Sequence, residues 1–179
     1  MKLFSYVAAM AFCATELVSA YGGKPVCNFN NTVHGSMPLA APGLNPTIVV
    51  SQSDLWGVQR AAQDLSIDFG RVTGHNGTLL NITGNSLPSG HPSLIVVGTV
   101  GSPLINNLVA SNKINLSAIT GQWESFMTQL VSNPAPGIQQ ALVIIGADKR
   151  GAIYGIYDLS QQIGVSPWYV ADSGELDLC

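Results

Sequence analysis

The run Ala141-Leu-Val-Ile-Ile-Gly-Ala-Asp-Lys-Arg-Gly-Ala-Ile-Tyr-Gly-Ile-Tyr-Asp-Leu-Ser-Gln-Gln-Ile-Gly-Val-Ser-Pro-Trp-Tyr169 places a buried apolar strand ahead of a glycine-containing basic turn and then a helix. That is also the layout of a phosphate-binding loop, so the chemistry must be tested first. Gly146 and Gly151 have the required spacing, but Ala152 and Ile153 stand where a lysine and a Ser/Thr hydroxyl belong. Nothing there reaches a phosphate or holds magnesium. The Gly-x-Gly-x-x-Gly pattern of dinucleotide sites is missing from the stretch as well. Nucleotide binding is set aside, and no cofactor is expected.

The same residues fit a capped helix packed on a sheet. Asp148 reads as its N-cap, the helix runs from about Lys149 to Ile163, and Gly164 is a left-handed stop. Ala152, Ile156, Leu159 and Ile163 form an apolar stripe, widened by Ile153 and Tyr157. Gly151 and Gly155, four apart, let the helix backbone approach the sheet closely.

Working outward, Thr47–Ser51 is a β-branched run and predicts a strand. Ser51-x-x-Asp54 is a helix-start signal, and Leu55, Val58, Ala62, Leu65 and Phe69 follow at steps of three and four. Asp54, Arg60, Gln63, Asp64 and Asp68 lie mostly off that stripe, and Gly70 is placed to end the helix. Gly77–Thr83 predicts a second strand after a turn at His75-Asn-Gly77, and Ser93–Gly98 a buried third. Ser102 followed by Pro103 opens a helix through Ala110. Glu124–Val131 alternates as a strand with an exposed face, Asn133–Gly137 turns the chain, and Ala141–Gly146 is its hairpin neighbour.

A short connection forces the last two strands antiparallel, whereas helix-linked strands are free to be parallel. The expected fold is α/β, bordering on α+β: a mixed, partly antiparallel sheet with about three packed helices.

Of the 179 residues, 46% are hydrophobic and 9% charged, with a net charge of -3 and scattered basic residues, so neither nucleic acid nor an anionic membrane is an expected partner. Residues 1–20 read as a secretory signal peptide cleaved after Ala20, since Lys2 precedes an apolar stretch from Leu3 to Cys13 that is too short to span a bilayer. Residues 21–46 form an irregular leader, 47–170 a single α/β domain and 171–179 a tail. The protein is expected to be secreted and extracellular. Asn30, Asn76, Asn81 and Asn115 begin Asn-x-Ser/Thr sequons, which agree with that route and predict exposed positions. Cys27 and Cys179 either form a terminus-to-terminus disulfide or stay as two thiols, and neither fits a metal site.

Secretion makes hydrolytic chemistry the natural trade to look for. There is no Gly-x-Ser-x-Gly elbow, and His34, His75 and His91 sit in loops without metalloprotease spacing. A glycosidase needs two carboxyl groups flanking the scissile bond. Asp64 and Asp68 are one turn apart on a polar helix face, and Asp172, Glu175 and Asp177 crowd the tail. No framed pair results, and no catalytic residue or metal ligand is assigned.

The stretch from Ala141 to Tyr169, with Asp64-Leu-Ser-Ile-Asp-Phe-Gly-Arg-Val-Thr-Gly74 and Trp123-Glu-Ser-Phe126, resembles the N-terminal domain of the secreted, fungal-type xylan α-1,2-glucuronidases of glycoside hydrolase family 115. The resemblance covers about residues 45–172 and implies a hexosaminidase/glucuronidase N-terminal-domain-like module that precedes a catalytic (β/α)-barrel. In that family the barrel carries the catalytic carboxylates, and the enzymes remove glucuronic or methylglucuronic acid from xylan. The family continues Trp-Tyr-Trp-Trp-Ala-Asp-Val-Pro, whereas this chain has Trp168-Tyr-Val-Ala-Asp172 and then Ser-Gly-Glu-Leu-Asp-Leu-Cys179. The expectation is a domain truncated before its barrel and inactive alone. Its partner would be that barrel, docked near Trp168, Tyr169 and Asp172, and xylan would be a further ligand. The alternative is a stand-alone extracellular carbohydrate-binding or structural module using Trp56, Trp123, Trp168 or Tyr169.

Overall fold

The apolar run and the helix after it become β5 (Ile138–Gly146) and α3 (Lys149–Gln162), joined by the two residues Ala147 and Asp148. The computed structural model describes residues 37–39 and 45–165. Ahead of β5 come β1 (Thr47–Ser51), α1 (Trp56–Thr73), β2 (Thr78–Ile82), β3 (Ser93–Thr99), α2 (Pro103–Ala110) and β4 (Phe126–Ala135). The sheet order is β2-β1-β3-β5-β4. The first four run parallel, while β4 pairs antiparallel with β5, so the sheet is mixed as expected.

Helices cover both faces, which explains why the inner strands read as unbroken apolar runs rather than alternating ones. Ile48, Val50, Ile95, Val97, Leu142 and Ile144 face α1 and α3. Their neighbours Val49, Leu94, Val96, Val143 and Ile145 face α2 and the segment carrying Ile114 and Ile119. The predicted α3 stripe is buried at Ala152, Ile156, Leu159 and Ile163. Gly151 and Gly155 are in close contact: a Cβ on Gly151 would lie 2.1 Å from the Ser125 carbonyl oxygen, and one on Gly155 2.7 Å from Ile144 Cγ2. Gly164 takes the left-handed conformation, φ 104°.

Several expectations are corrected. Helix α1 starts at Trp56 rather than at the Ser51–Asp54 signal, because Ser51 is still paired in β1 with Ile82 and its hydroxyl is bonded to that of Ser53 at 2.8 Å. Leu55, expected on the buried stripe, is the N-cap and is 48% exposed. Gly70 does not end the helix; the chain continues to Thr73 and stops at Gly74, φ 82°. Gly70 instead leaves room for Asn76, whose Oδ1 would meet a Cβ there at 1.8 Å. The buried face of α1 is also wider than the stripe. It takes in Asp68, which is buried and ion-paired with Arg71 at 2.7 Å rather than solvated. Tyr157 does not widen the α3 stripe but stays exposed, bonding Asp64 Oδ2 at 3.2 Å.

The loop expected at Asn133–Gly137 shrinks to the turn Pro136-Gly137, because β4 runs on through a register shift between Ser132 and Ala135. Asn133 adopts a left-handed backbone, φ 48°, to make that bulge. Pro134 is tolerated because β4 is an edge strand, where a missing N–H leaves no ladder bond unmade.

Candidate functional site at the carboxyl edge of the sheet

In an open α/β sheet, ligands enter where successive connections leave for opposite faces, outside the carboxyl ends of the strands. Here α1 leaves β1 toward one face and α2 follows β3 on the other, so that crevice lies between the ends of β1 and β3. It is filled by the protein itself. Asp54, 6% exposed, accepts the Thr99 N–H at 2.9 Å, the Thr99 hydroxyl at 2.8 Å and the Leu55 N–H at 2.7 Å. Three of roughly four acceptor positions on the carboxylate are thus committed to its own backbone and side chains. Ser102, beside it, keeps a buried hydroxyl with no hydrogen-bond partner. The sequence places Asp54 in a helix-start signal, whereas the structure bonds it to Thr99; its place just past a strand end is the one local mark of that role.

A second polar group closes the end of β5. Asp148 caps α3 as expected, with Oδ1 accepting the Gly151 N–H at 2.8 Å. Its Oδ2 accepts the Glu124 N–H at 2.9 Å, which ties the chain entering β4 to the start of α3. Glu124 sits in the left-handed region, φ 55°, and pairs with Arg150 at 2.6 Å. Arg150 also donates to the Tyr154 hydroxyl at 3.0 Å. The Gly151 N–H, followed by that of Glu124, holds the Asp148 carboxyl below the ordinary value of 3.8. The Tyr154 hydroxyl and the charge of Glu124 hold the Arg150 guanidinium above its ordinary value. Burial, with the charge of Asp64, raises the Tyr157 phenol above 10.0.

The Asp148 shift has a measurable consequence. Because the native carboxyl is the stronger acid, the unfolded chain takes up the proton first, so the contribution to stability is full above about pH 5 and fades as pH falls through and below the unfolded value. Asp148→Ala should therefore cost about 1 kcal/mol at neutral pH. In urea titrations its deficit relative to the unmutated chain should shrink as pH drops to 3. A deficit independent of pH would mean that the charge on Asp148 contributes nothing.

Large apolar groups stand exposed along this same edge. Trp56, at the first turn of α1, is 78% exposed, and Trp123, just before β4, is 83% exposed. Neither belongs to the buried core clusters.

The other sequence candidates are dispersed. Asn76, Asn81 and Asn115 are all exposed, as sequon positions require, and Asn115 Oδ1 accepts the Ser117 N–H at 2.9 Å. Asp64 pairs with Arg60 at 3.1 Å, so Asp64 and Asp68 serve separate ion pairs and do not frame a substrate. His75 is exposed, whereas His91 is half-buried with Nδ1 3.3 Å from the Thr47 hydroxyl oxygen. Among the described residues no group of three His, Cys, Asp or Glu side chains is placed to hold a metal ion. A concavity at the opposite end of the strands, between Met37, Pro46 and Leu94, has a volume of about 10 Å³, space for one water and not for a sugar. Asn30, Cys27, Cys179, Trp168, Tyr169, Asp172 and His34 lie outside the described residues.

The chain matches no protein-family model and no curated protein. Among solved structures, it is similar to a family GH115 4-O-methyl-alpha-glucuronidase with specificity for decorated arabinogalactans. The two share 29% identity with a TM-score of 0.53 over 70% of this chain. The chain spans 14% of the length of that enzyme. The likeness is consistent with a glycoside hydrolase-related domain.

Proposed function

We propose that this chain is the non-catalytic N-terminal domain of a secreted glycoside hydrolase resembling the xylan α-1,2-(4-O-methyl)glucuronidases, and that it is inactive alone. The observation that carries this is the likeness to a GH115 glucuronidase over most of this chain but a small part of that one. The chemistry of the described residues agrees. Each described carboxylate is engaged: Asp54 with Thr99, Asp64 and Asp68 with arginines, Asp148 with backbone, Glu124 with Arg150 and Asp158 with the Gln162 amide. Acid–base hydrolysis of a glycoside needs one carboxyl to donate a proton and another to attack or to activate water. Carboxylates fixed in separate ion pairs and caps do neither.

The purified 179-residue protein, incubated with methylglucuronoxylan and with a glucuronic acid-decorated arabinogalactan, should release no more uronic acid than a blank. Sustained turnover of either polysaccharide would overturn the reading. A second reading is favoured by the exposure of Trp56 and Trp123: a stand-alone module that holds polysaccharide on its aromatic rings. Retention on insoluble xylan that Trp56→Ala and Trp123→Ala both reduce would favour that reading. Equal passage of all three proteins would favour the first.

A further inference from the structure

The two free edges of the sheet are treated differently. An unpaired strand edge is a template for pairing with another chain, and proteins blunt it with bulges, proline, charge or a covering element. On β4 the bulge between Ser132 and Ala135, with the left-handed Asn133 and Pro134, does this in the backbone itself. On β2 the first three of these devices are missing: Thr78-Leu-Leu-Asn-Ile82 has no proline, no charge and an unbroken register with β1. No described strand pairs with its outer side. A short, uncharged, β-prone and proline-free segment of this kind is an aggregation hazard.

Two of the four sequons fall on this strand. Asn76-Gly-Thr78 leads into it, and Asn81-Ile-Thr83 overlaps its end. Asn81 is exposed, on the same face of the strand as Leu79, while Leu80 and Ile82 pack toward α2. The Thr83 hydroxyl donates to Gln52 Oε1 at 2.9 Å and the Asn81 carbonyl accepts from Gln52 Nε2 at 3.3 Å, while the Asn81 side-chain amide makes no hydrogen bond among the described residues.

We propose that Asn81 carries an N-linked glycan whose function is to shield the free edge of β2 from pairing with a second strand. A glycan is bulky, hydrated and fixed at the edge, so it does there what the bulge and proline do on β4. The proposal rests on the secretory reading of residues 1–20 and not on the relation to glucuronidases.

The test uses the full chain secreted from a eukaryotic host. Glycan release in ¹⁸O-labelled water, followed by peptide mapping, should mark Asn81 as occupied. Asn81→Gln and Thr83→Ala, which remove the sequon by different routes, should each raise the oligomer fraction after concentration by roughly threefold or more, whereas Asn115→Gln should not. Thr83→Ser, which keeps the sequon, should behave as the unmutated protein. Enzymatic removal of glycans from already folded protein should give the same rise, which covers the case in which a variant fails to be secreted. Asn81→Lys, lacking the glycan but placing a charge on the edge, should restore the monomer.

An unoccupied Asn81 beside other occupied sequons would overturn the edge proposal alone. Absence of glycan at every sequon of the secreted protein would overturn the proposal, and failure of the chain to be secreted by its own residues 1–20 would overturn the secretory reading with it. Occupied Asn81 with unchanged oligomer content after deglycosylation, or Asn81→Lys aggregating as much as Asn81→Gln, would overturn the shielding role.

Discussion

Gly151→Ala is expected to destabilise the protein by about 3 kcal/mol or more, although helix propensity alone favours alanine over an interior glycine by roughly 0.5–1 kcal/mol. The added methyl would sit 2.1 Å from the Ser125 carbonyl oxygen and 2.9 Å from its carbon, both backbone atoms. That backbone has little freedom to retreat. The Ser125 carbonyl accepts the Ala147 N–H at 2.8 Å, and Glu124 before it is held by Asp148 at 2.9 Å. Relief therefore requires α3 to move away from the end of β5, opening the buried contacts of Ala152 and Ile156.

Gly57→Ala is the matched control, since it also lies in a helix but its Cβ would meet Ile153 Cδ1 at 3.3 Å and the flexible Lys149 stem at 3.5 Å. There the propensity gain and a small rotamer adjustment should nearly cancel, within about 1 kcal/mol. Urea unfolding of the two variants checks the pair. Equal stability would show that the strand-to-helix junction is looser than its contacts imply.

The same junction shows where sequence carries structure and where it stops. The α3 stripe, its Asp148 cap and its close glycines were legible because each depends on residues within one or two helical turns. The second bond of Asp148 was not, because the Glu124 N–H is 24 positions away and nothing local marks it. The β4 strand was read too short for a related reason. Asn133 and Pro134 signal a turn when taken alone, and only pairing with β5 makes them a bulge on an edge. At α1 a local signal competed with a tertiary one. Ser51-x-x-Asp54 resembles a capping pattern, but pairing of Ser51 with Ile82 and of Asp54 with Thr99 removes both residues from the helix. The buried Asp68 follows the same rule, since helical periodicity cannot show how wide the covered face will be. Local chemistry was read well; contacts made at long range were not.

Asp54 is the position where that long-range pairing matters most, and Asp54→Ala should cost about 3 kcal/mol or more. Truncation leaves the Thr99 N–H and hydroxyl without their acceptor in a site where Asp54 and Thr99 are 6% and 8% exposed, and each unsatisfied buried group costs about 1–3 kcal/mol. Asp54→Asn should fall between, because one amide oxygen replaces two acceptors and its N–H₂ must face a donor on one side. Thr99→Val removes one of the two Thr99 donors, so the Asp54→Ala/Thr99→Val double variant should lose less than the sum of the singles, by about 1 kcal/mol or more.

Strict additivity in that cycle would show that the hydroxyl contact contributes nothing. The functional meaning follows from where the pair sits. A sheet of this kind offers a ligand the gap between the ends of β1 and β3, and here a carboxylate from the β1–α1 turn spans that gap and locks onto the last residue of β3. The crevice therefore acts as a joint between two strands. If Asp54→Ala kept full stability and gained measurable affinity for glucuronic acid by titration calorimetry, the joint would instead be a closed binding site.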